Sequence, residues 1–461
     1  MNALRCDVIV IGAGIAGVST AVAAAEKGLD VILIEKMPKI GGSTVMSGGW
    51  FAFTGTEEQK RAGIDDSVEL FRADLLNVGA HRNDPALVDA YLDNQLDTYN
   101  WLKARGVEFG EVSISSGQSA ARGHSTRIRE VLGTLHEHFG SQGGRTLVDT
   151  QVVSLIRGPE GRVTGVVTDQ DAQLHAERGV VIASGGFSRS KKLLSIFAPE
   201  QLAAIPYGGA GNTGDGLKMG WKLGAGMADI FAVSGTYGSH PETTDSQQEL
   251  LTAYYMGGII VNMDARRFID ESLDYKTLGS AVLTQREAIA FQVFDSSVRA
   301  QSHRGIALKD MDTLEDLGHL PSADTLEELA GLVGIPGDQL VATVQEYNAA
   351  VRGERSDEVG RTHLCNGVGQ LQPIVTGPFF AYPAKTLMTT TYGGLTFNTR
   401  GQVTDVDGDV IEGLYAVGEV TGGFHGAAYM TGSSLGKGAV FGRIVADHLS
   451  SVEAPVVERV G

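Results

Sequence analysis

The chain opens on a β-branched apolar run, Val8-Ile9-Val10-Ile11, which gives way at three glycines, Gly12, Gly14 and Gly17, to an Ala-rich stretch ending near Lys27. This pattern predicts a strand over Cys6–Ile11, a helix over Ile15–Lys27 and a second strand over Asp30–Ile34. Gly28 suits the helix stop, and a right-handed crossover brings the second strand parallel to the first. From Asp66 to Arg105 the apolar spacing is helical: Leu70, Phe71, Leu75 and Leu76, then Leu87, Val88, Tyr91 and Leu92, fall on repeating faces. Two β-rich stretches follow, Arg145–Thr168, broken by the turn Gly158-Pro159-Glu160-Gly161, and Gln173–Ala183, which runs into Ser184-Gly185-Gly186. Residues 232–361 change character, with acidic helices expected over Thr325–Leu332 and Gly337–Val351. After Leu371 the glycine-rich, β-branched style returns in Thr391-Tyr392-Gly393-Gly394 and Gly413-Leu414-Tyr415-Ala416-Val417-Gly418-Glu419. The expected organisation is therefore one α/β domain in discontinuous segments, 1–231 and 362–461, with an α+β cap inserted over 232–361.

Composition narrows the partners. A chain of 461 residues with net charge -18 repels polyphosphate surfaces, which disfavours nucleic acid and anionic membranes and favours a small organic substrate. The 62 glycines exceed the usual share of about 7% and point to tight turns and close backbone approaches. Cys6 and Cys365 are too few for a disulfide framework or a cysteine metal cluster, so inert thiols, no metal and a cytoplasmic setting are expected. Val8–Ala25 is an 18-residue run without formal charge, yet its glycines read as strand, turn and helix, so neither a membrane span nor a signal peptide is expected.

Gly12-Ala13-Gly14-Ile15-Ala16-Gly17 has the G-x-G-x-x-G form between a strand and a helix. The first glycine permits the tight turn, the second lets backbone approach a pyrophosphate, and the third lets helix and strand pack closely. The helix N-terminus then faces the phosphates. Glu35, 23 residues after Gly12, ends the second strand where a carboxylate accepts hydrogen bonds from ribose hydroxyls. The bland alternative is a glycine turn holding no ligand. Gly41-Gly42-Ser43-Thr44, extended by Ser47-Gly48-Gly49, selects FAD over NAD, because paired glycines and hydroxyls can wrap the pyrophosphate from the far side.

With these motifs, and with Ala183-Ser184-Gly185-Gly186, Asn212-Thr213-Gly214-Asp215-Gly216, Gly257-Gly258-Ile259-Ile260-Val261-Asn262, Arg267-Phe268, Gly418-Glu419 and Ser433-Ser434-Leu435 in order, the sequence resembles the flavoprotein family of soluble fumarate reductases and 3-ketosteroid dehydrogenases. The resemblance implies a Rossmann-like FAD-binding domain in discontinuous segments with a catalytic cap, substrate lying between them. It implies cofactor contacts from Ile15, Ala16, Lys36, Val152, Ala183, Ser184, Gly185, Asn212 and Asp215, and assigns Glu419 to the ribityl chain. Ser433, Ser434 and Leu435 would direct amides and a positive helix end at the flavin N1 and C2 carbonyl, where negative charge develops. Relatives that attach FAD covalently use a histidine in the loop after the Glu-bearing strand; none precedes His81 here, so noncovalent FAD is expected.

The family's fumarate reductases present arginines and histidines to a dicarboxylate, and this chain departs from them. The donor-arginine position falls at Tyr275, the C-terminal carboxylate-binding arginine at Tyr429, and a histidine at Thr390. A dicarboxylate would lose about two charge-assisted contacts of roughly 1.5 to 3 kcal/mol each, so fumarate is disfavoured. Tyr429-Met430-Thr431-Gly432-Ser433-Ser434-Leu435-Gly436 is similar instead to the 3-ketosteroid Δ4-dehydrogenase segment in which a tyrosine and a hydroxyl two positions on form a proton path. Tyr429 would be the base and Thr431 its relay, with hydride leaving to flavin N5. Tyr275 is a second tyrosine, with Tyr254, Tyr255 and Tyr392 as competitors; Tyr255, Tyr392 and Gly432 are also candidates to contact substrate. Each tyrosine is also readable as a core aromatic. His240 and His425 are read as structural, and Arg122, His124, Arg127 and Arg129 as a solvated basic face.

The reading is an FAD-dependent desaturase of a cyclic ketone, a steroid 3-ketone or a smaller ring. The alternatives are a flavin-dependent ene-reductase of a non-fumarate enoate and a non-catalytic flavin-binding electron-transfer protein. The electron acceptor and the oligomeric state are not specified by the sequence.

Overall fold

The structure is a computed structural model that describes residues 4–245, 249–306, 308–365 and 367–452. The elements that position the site are, in chain order, β1 (Leu4–Ile11), α1 (Ile15–Glu26), β2 (Val31–Ile34), α2 (Pro85–Lys103), β3 (Arg145–Leu147), β4 (Gln173–Ile182), β5 (Ile259–Val261), α3 (Tyr275–Leu283), β6 (Ala290–Asp295), β7 (Phe379–Thr391), β8 (Gln402–Thr404), β9 (Val410–Ala416) and α4 (Ser433–Ser451). They divide into two compact units. The first takes the chain up to Ala198, Gly208–Val233 and Thr390 onward; the second takes Pro199–Tyr207 and Ser234–Thr389.

In the first unit an eight-stranded sheet runs in the order β8-β9-β4-β1-β2-β3, and the hairpin Val152–Arg157 and Val163–Thr168 extends it beside β4. The β1–β2, β1–β4, β4–β9 and β2–β3 ladders are parallel, with Val8 opposite Val31 and Ile9 opposite Val180. Strands covered on both faces read as continuous apolar runs, which explains why β1 and β2 show no alternation. α1 is buried from Ile15 to Ala25. Its small side chains let α4 lie close, since a Cβ on Gly442 would stand 3.0 Å from the Ala16 carbonyl and one on Gly438 would stand 3.1 Å from Ile15. The uncharged run Val8–Ala25 is thus interior strand and helix, and among the described residues no helix is long and apolar enough to cross a membrane. The expected helical stretch 66–105 forms two helices, Val68–Val78 and α2, the latter started by Pro85 behind the Asp84 cap.

The second unit is an antiparallel sheet with helices. β7 pairs β6 with Phe291 opposite Pro383, and β6 pairs β5 with Ile260 opposite Gln292. Alternation along β6 separates two cores: Ala290 and Phe294 face a cluster with Tyr237, Tyr254 and Leu278, while Phe291 and Val293 face Leu329, Leu340, Val344 and Tyr347. Leu329 lies on the helix Leu326–Val333 and the other three on Gly337–Val351, close to their expected bounds. The return to the first unit comes at Thr390, later than the expected residue 362. The reason is β7, a 13-residue strand whose pairing with β6 ties 379–384 to the second sheet before its last two residues cross over.

Candidate active site

The G-x-G-x-x-G turn is shaped by close contact. Gly12 has φ +104°, and a Cβ there would stand 2.4 Å from the Ala183 carbonyl oxygen; one on Gly17 would stand 1.8 Å from the Gly12 carbonyl. Only glycine tolerates both demands. The Glu35 carboxylate is oriented by two backbone amides, accepting from Ala13 N–H at 2.9 Å and Met37 N–H at 2.9 Å. The Thr150 N–H donates to the Glu35 carbonyl, which brings the Val152 segment alongside. The Thr44 hydroxyl accepts from the Ile15 N–H at 2.9 Å at the start of α1, which brings the Gly41–Thr44 loop against the first glycine turn. Ser47 turns its hydroxyl back to the Thr44 carbonyl at 2.8 Å, and the Gly49 carbonyl accepts from Thr126. Gly48 lies against Trp50. Lys36 and Asp215 bond each other at 2.8 Å, with Thr213, Lys218 and Gln151 completing the network. Burial alone would raise the Asp215 carboxyl, but Lys36 and Lys218 outweigh it and hold the group below its ordinary value.

Glu419 is the hub of the other end. One carboxylate oxygen accepts from Ser43 Oγ at 3.2 Å and Asn212 Nδ2 at 2.9 Å, and the other from Thr390 Oγ1 at 2.9 Å and Thr391 N–H at 3.1 Å. Asn212 also donates to Ser43 Oγ at 2.8 Å. Gly185 and Gly186 leave room for this cluster: a Cβ on the first would stand 2.4 Å from Asn212 Oδ1, and one on the second 1.9 Å from Thr391 Oγ1. Three chain segments, at Ser43, Asn212 and Thr390–Thr391, are thereby tied to one half-buried carboxylate.

α4 starts beside them, after Gly432 at φ +89°. The Ser433 amide and hydroxyl both turn back to the Met430 carbonyl, at 3.0 and 2.7 Å. The amides of Ser434 and Leu435 find no acceptor among the described residues, so they are the ones open to an anionic ligand atom. Upstream, Tyr429, Tyr392 and His425 form an aromatic cluster, with centroids 5.3 Å apart for the two tyrosines and 5.8 and 6.0 Å from each to His425. Thr431 has its backbone tied down by Gln118 and Ser116, while its hydroxyl is buried without a protein hydrogen-bond partner.

Tyr275 and Tyr255 belong to the second unit. Tyr275 opens α3 behind the Asp274 cap, and Tyr255 packs edge-on against Tyr254 at 4.5 Å and donates its hydroxyl to the Leu273 carbonyl at 2.6 Å. Burial raises the Tyr255 phenol well above its ordinary value, which disfavours it as a base. His240 stacks on His319 at 3.8 Å, and burial together with that neighbour pushes it down to about 4. The solvated basic face needs correction. Arg122 and His124 are fully buried, Arg122 forking to Asp66 at 2.7 Å and pairing with Asp74, whereas Arg127 is exposed. Asp66, just before the helix Val68–Val78, and Asp74, within it, meet this guanidinium inside the fold, which pays its desolvation.

The donor set suits a dinucleotide carrying a redox-active ring. Beyond the glycine cradle and the oriented Glu35, the hydroxyls of Ser184 and Thr391 are buried without protein partners. Comparison with known proteins agrees, since the family model described as FAD binding domain matches residues 7–435. The chain belongs to this FAD-binding family. Its members are flavoproteins, and this one is an FAD-dependent oxidoreductase acting on carbon–carbon bonds. It is 31% identical over 447 residues to an NADH:fumarate oxidoreductase of Klebsiella pneumoniae (strain 342), covering 95% of this chain and 47% of that protein, so it spans about half the relative's length. It superposes on the open conformation of a flavocytochrome c3 fumarate reductase with a TM-score of 0.85 at 29% identity, covering 97% of this chain and 78% of the other. It also superposes on the 3-ketosteroid-delta4-(5alpha)-dehydrogenase of Rhodococcus jostii RHA1 with a TM-score of 0.77 at 26% identity, covering 97% of each.

The sequence motifs name Thr390 and Thr391 but not their partnership with Glu419. Lys437 carries no signature in the motifs: it is an isolated charge in the small, apolar run Leu435–Phe441, and that isolation is the signal that marks it.

Proposed function

We propose that this flavoprotein desaturates a cyclic ketone at the carbons α and β to the carbonyl, with Tyr429 as the base, Thr431 as its relay and Tyr275 as an assisting phenol. FAD, held noncovalently, supplies the two-electron acceptor when bound. The observation that carries the reading is the Tyr429–Tyr392–His425 cluster next to the start of α4, where a dicarboxylate reductase would need a guanidinium. A phenol at about pKa 10 needs its anion favoured to act near neutrality. The buried Thr431 hydroxyl and the open amides of Ser434 and Leu435 support that role, and Gly432 and Tyr392 line the substrate side. A ketone acidifies the α-carbon enough for such a base.

The test is anaerobic mixing of the yellow protein with a panel of cyclic ketones while visible flavin absorbance is followed. Bleaching is expected with at least one ketone, and persistent oxidised flavin with every ketone would refute the desaturase. A second reading, reduction of a non-fumarate enoate, is favoured by the likeness to the flavocytochrome c3 fumarate reductase named above. Reoxidation of the dithionite-reduced protein by enoates, without bleaching by ketones, would select it.

A further inference from the structure

Lys437 lies one turn into α4 and is 1% exposed. Its ammonium donates to the Thr421 carbonyl at 2.8 Å, and among the described residues that is its one hydrogen-bond acceptor; its Nζ also stands 5.7 Å from the Phe424 ring centroid. No carboxylate approaches within ion-pair distance among the described residues. The charges that face it are Glu419, on the turn after β9, and Asp229, after Met227–Ala228. Asp229 in turn feels Arg82, and accepts from the Gly423 N–H at 3.2 Å. Beside it on α4, Gly438 and Gly442 pack against Ile15, Ala16 and Thr20 of α1, none of them charged.

A buried ammonium with one neutral acceptor is costly, and a fold that keeps one needs a compensating anion nearby. Glu419 supplies part of it. The rest is due from whatever occupies the cradle made by Glu419 and the open Ser434 and Leu435 amides. Two-electron reduction of FAD takes up two electrons and one proton, and leaves a negative charge on the ring.

We propose that Lys437 is a positioning charge for the bound flavin: its protonated form favours the anionic reduced ring, and reduction draws a proton onto it. This rests on the reading that the start of α4 faces the redox ring. Burial pushes the ammonium down to about 7, with Glu419 and Asp229 opposing, so it changes charge near neutrality. Where Lys437 begins neutral, reduction takes up two electrons and two protons, one of them on Nζ. The electrons come from substrate in turnover, or from dithionite in a titration.

The experiment is a dithionite titration of the FAD-loaded protein from pH 6 to pH 9, for wild type, Lys437→Met and Lys437→Gln, with FAD affinity measured on each. Below the Lys437 pKa the wild-type reduced-to-oxidised ratio at a fixed electrode potential should exceed that of either variant at least tenfold, about 30 mV for a two-electron couple. The gap should close towards pH 9. Wild type should pass through a range with twice the proton uptake per electron pair seen in the variants. A constant gap at all pH, as a structural role gives, overturns the proposal. So do unchanged potentials with weakened FAD binding, which would assign the charge to the diphosphate and reject the orientation of α4 while leaving the FAD site standing. Should neither variant hold FAD, a constant wild-type proton uptake across the range refutes it alone.

Discussion

Replacing Glu419 by Gln probes the cofactor site with one atom changed. The carboxylate accepts four hydrogen bonds, from Ser43, Asn212, Thr390 and the Thr391 backbone, all between 2.9 and 3.2 Å. A glutamine keeps one acceptor oxygen, and its NH2 cannot accept at all. The Thr391 N–H cannot be rotated away, so the amide nitrogen turns toward Ser43 and Asn212, where the serine hydroxyl can rotate but the Asn212 Nδ2 becomes a donor facing a donor. Loss of charge assistance costs about 1 kcal/mol per remaining bond, and the mismatch adds about 1 kcal/mol. Because the donors share one group, their losses do not add fully, and we expect about 2 to 4 kcal/mol in total. If that network holds Ser43, Asn212 and residues 390–391 in the form that binds FAD, the dissociation constant should rise about 30- to 1,000-fold. Equilibrium titration of the apoprotein with FAD, followed by quenching of flavin fluorescence, measures it. A Glu419→Gln protein with wild-type FAD affinity and wild-type Tm would show that the hub contributes neither to preorganisation nor to cofactor binding.

Other predictions follow from the same geometry. Tyr429→Phe and Thr431→Val should keep full flavin content yet slow ketone-driven bleaching by about 10²- to 10⁴-fold for the tyrosine and less for the threonine, as seen by stopped-flow absorbance; unchanged rates would remove both from the proton path. Gly186→Ala would place a methyl 1.9 Å from Thr391 Oγ1 and 2.8 Å from Glu419 Oε1, so the purified protein should be colourless, and a normal ratio of visible to ultraviolet absorbance would contradict the close packing. Arg122→Met leaves Asp66 and Asp74 without their cation, with side-chain exposures of only 2% and 11%, and should cost about 3 to 5 kcal/mol in urea unfolding at pH 7. The Asp74 carboxyl is lowered because its Ser119 and Arg122 hydrogen bonds outweigh burial, which alone would raise it. A depressed folded pKa means its contribution is full above the unfolded value of about 3.9 and is lost as pH falls below it. In the variant burial is no longer outweighed by Arg122, so its carboxyls take up protons at higher pH than in wild type, and the wild-type advantage should be full at pH 7 and shrink as pH falls towards about 4; an advantage that grows as pH falls would refute the assignment.

The nucleotide end of the site was legible because its demands are local. Gly12, Gly14 and Gly17 shape one turn, and Glu35 ends the adjacent strand, so a strand–turn–helix pattern carries the geometry without reference to the rest of the chain. The α/β character and the helices at 326–333 and 337–351 followed from periodicity for the same reason, whereas the start of α4 came from the family resemblance. The partners of Glu419 did not, since Ser43 and Asn212 are 376 and 207 residues away and meet it only when the sheet order sets β9 beside β4. Arg122 was misread as a surface group because the carboxylates that let it be buried lie 56 and 48 residues earlier.

By itself, the sequence determined which backbone segments can approach a dinucleotide, because that depends on side chains being absent at fixed spacings. Tertiary structure alone decided which polar groups meet: half-buried Glu419 with its four donors, and in the interior Arg122 with its two carboxylates and Lys437 with a single carbonyl. Burial and partnership are properties of chain crossings, and the charge a group keeps depends on both.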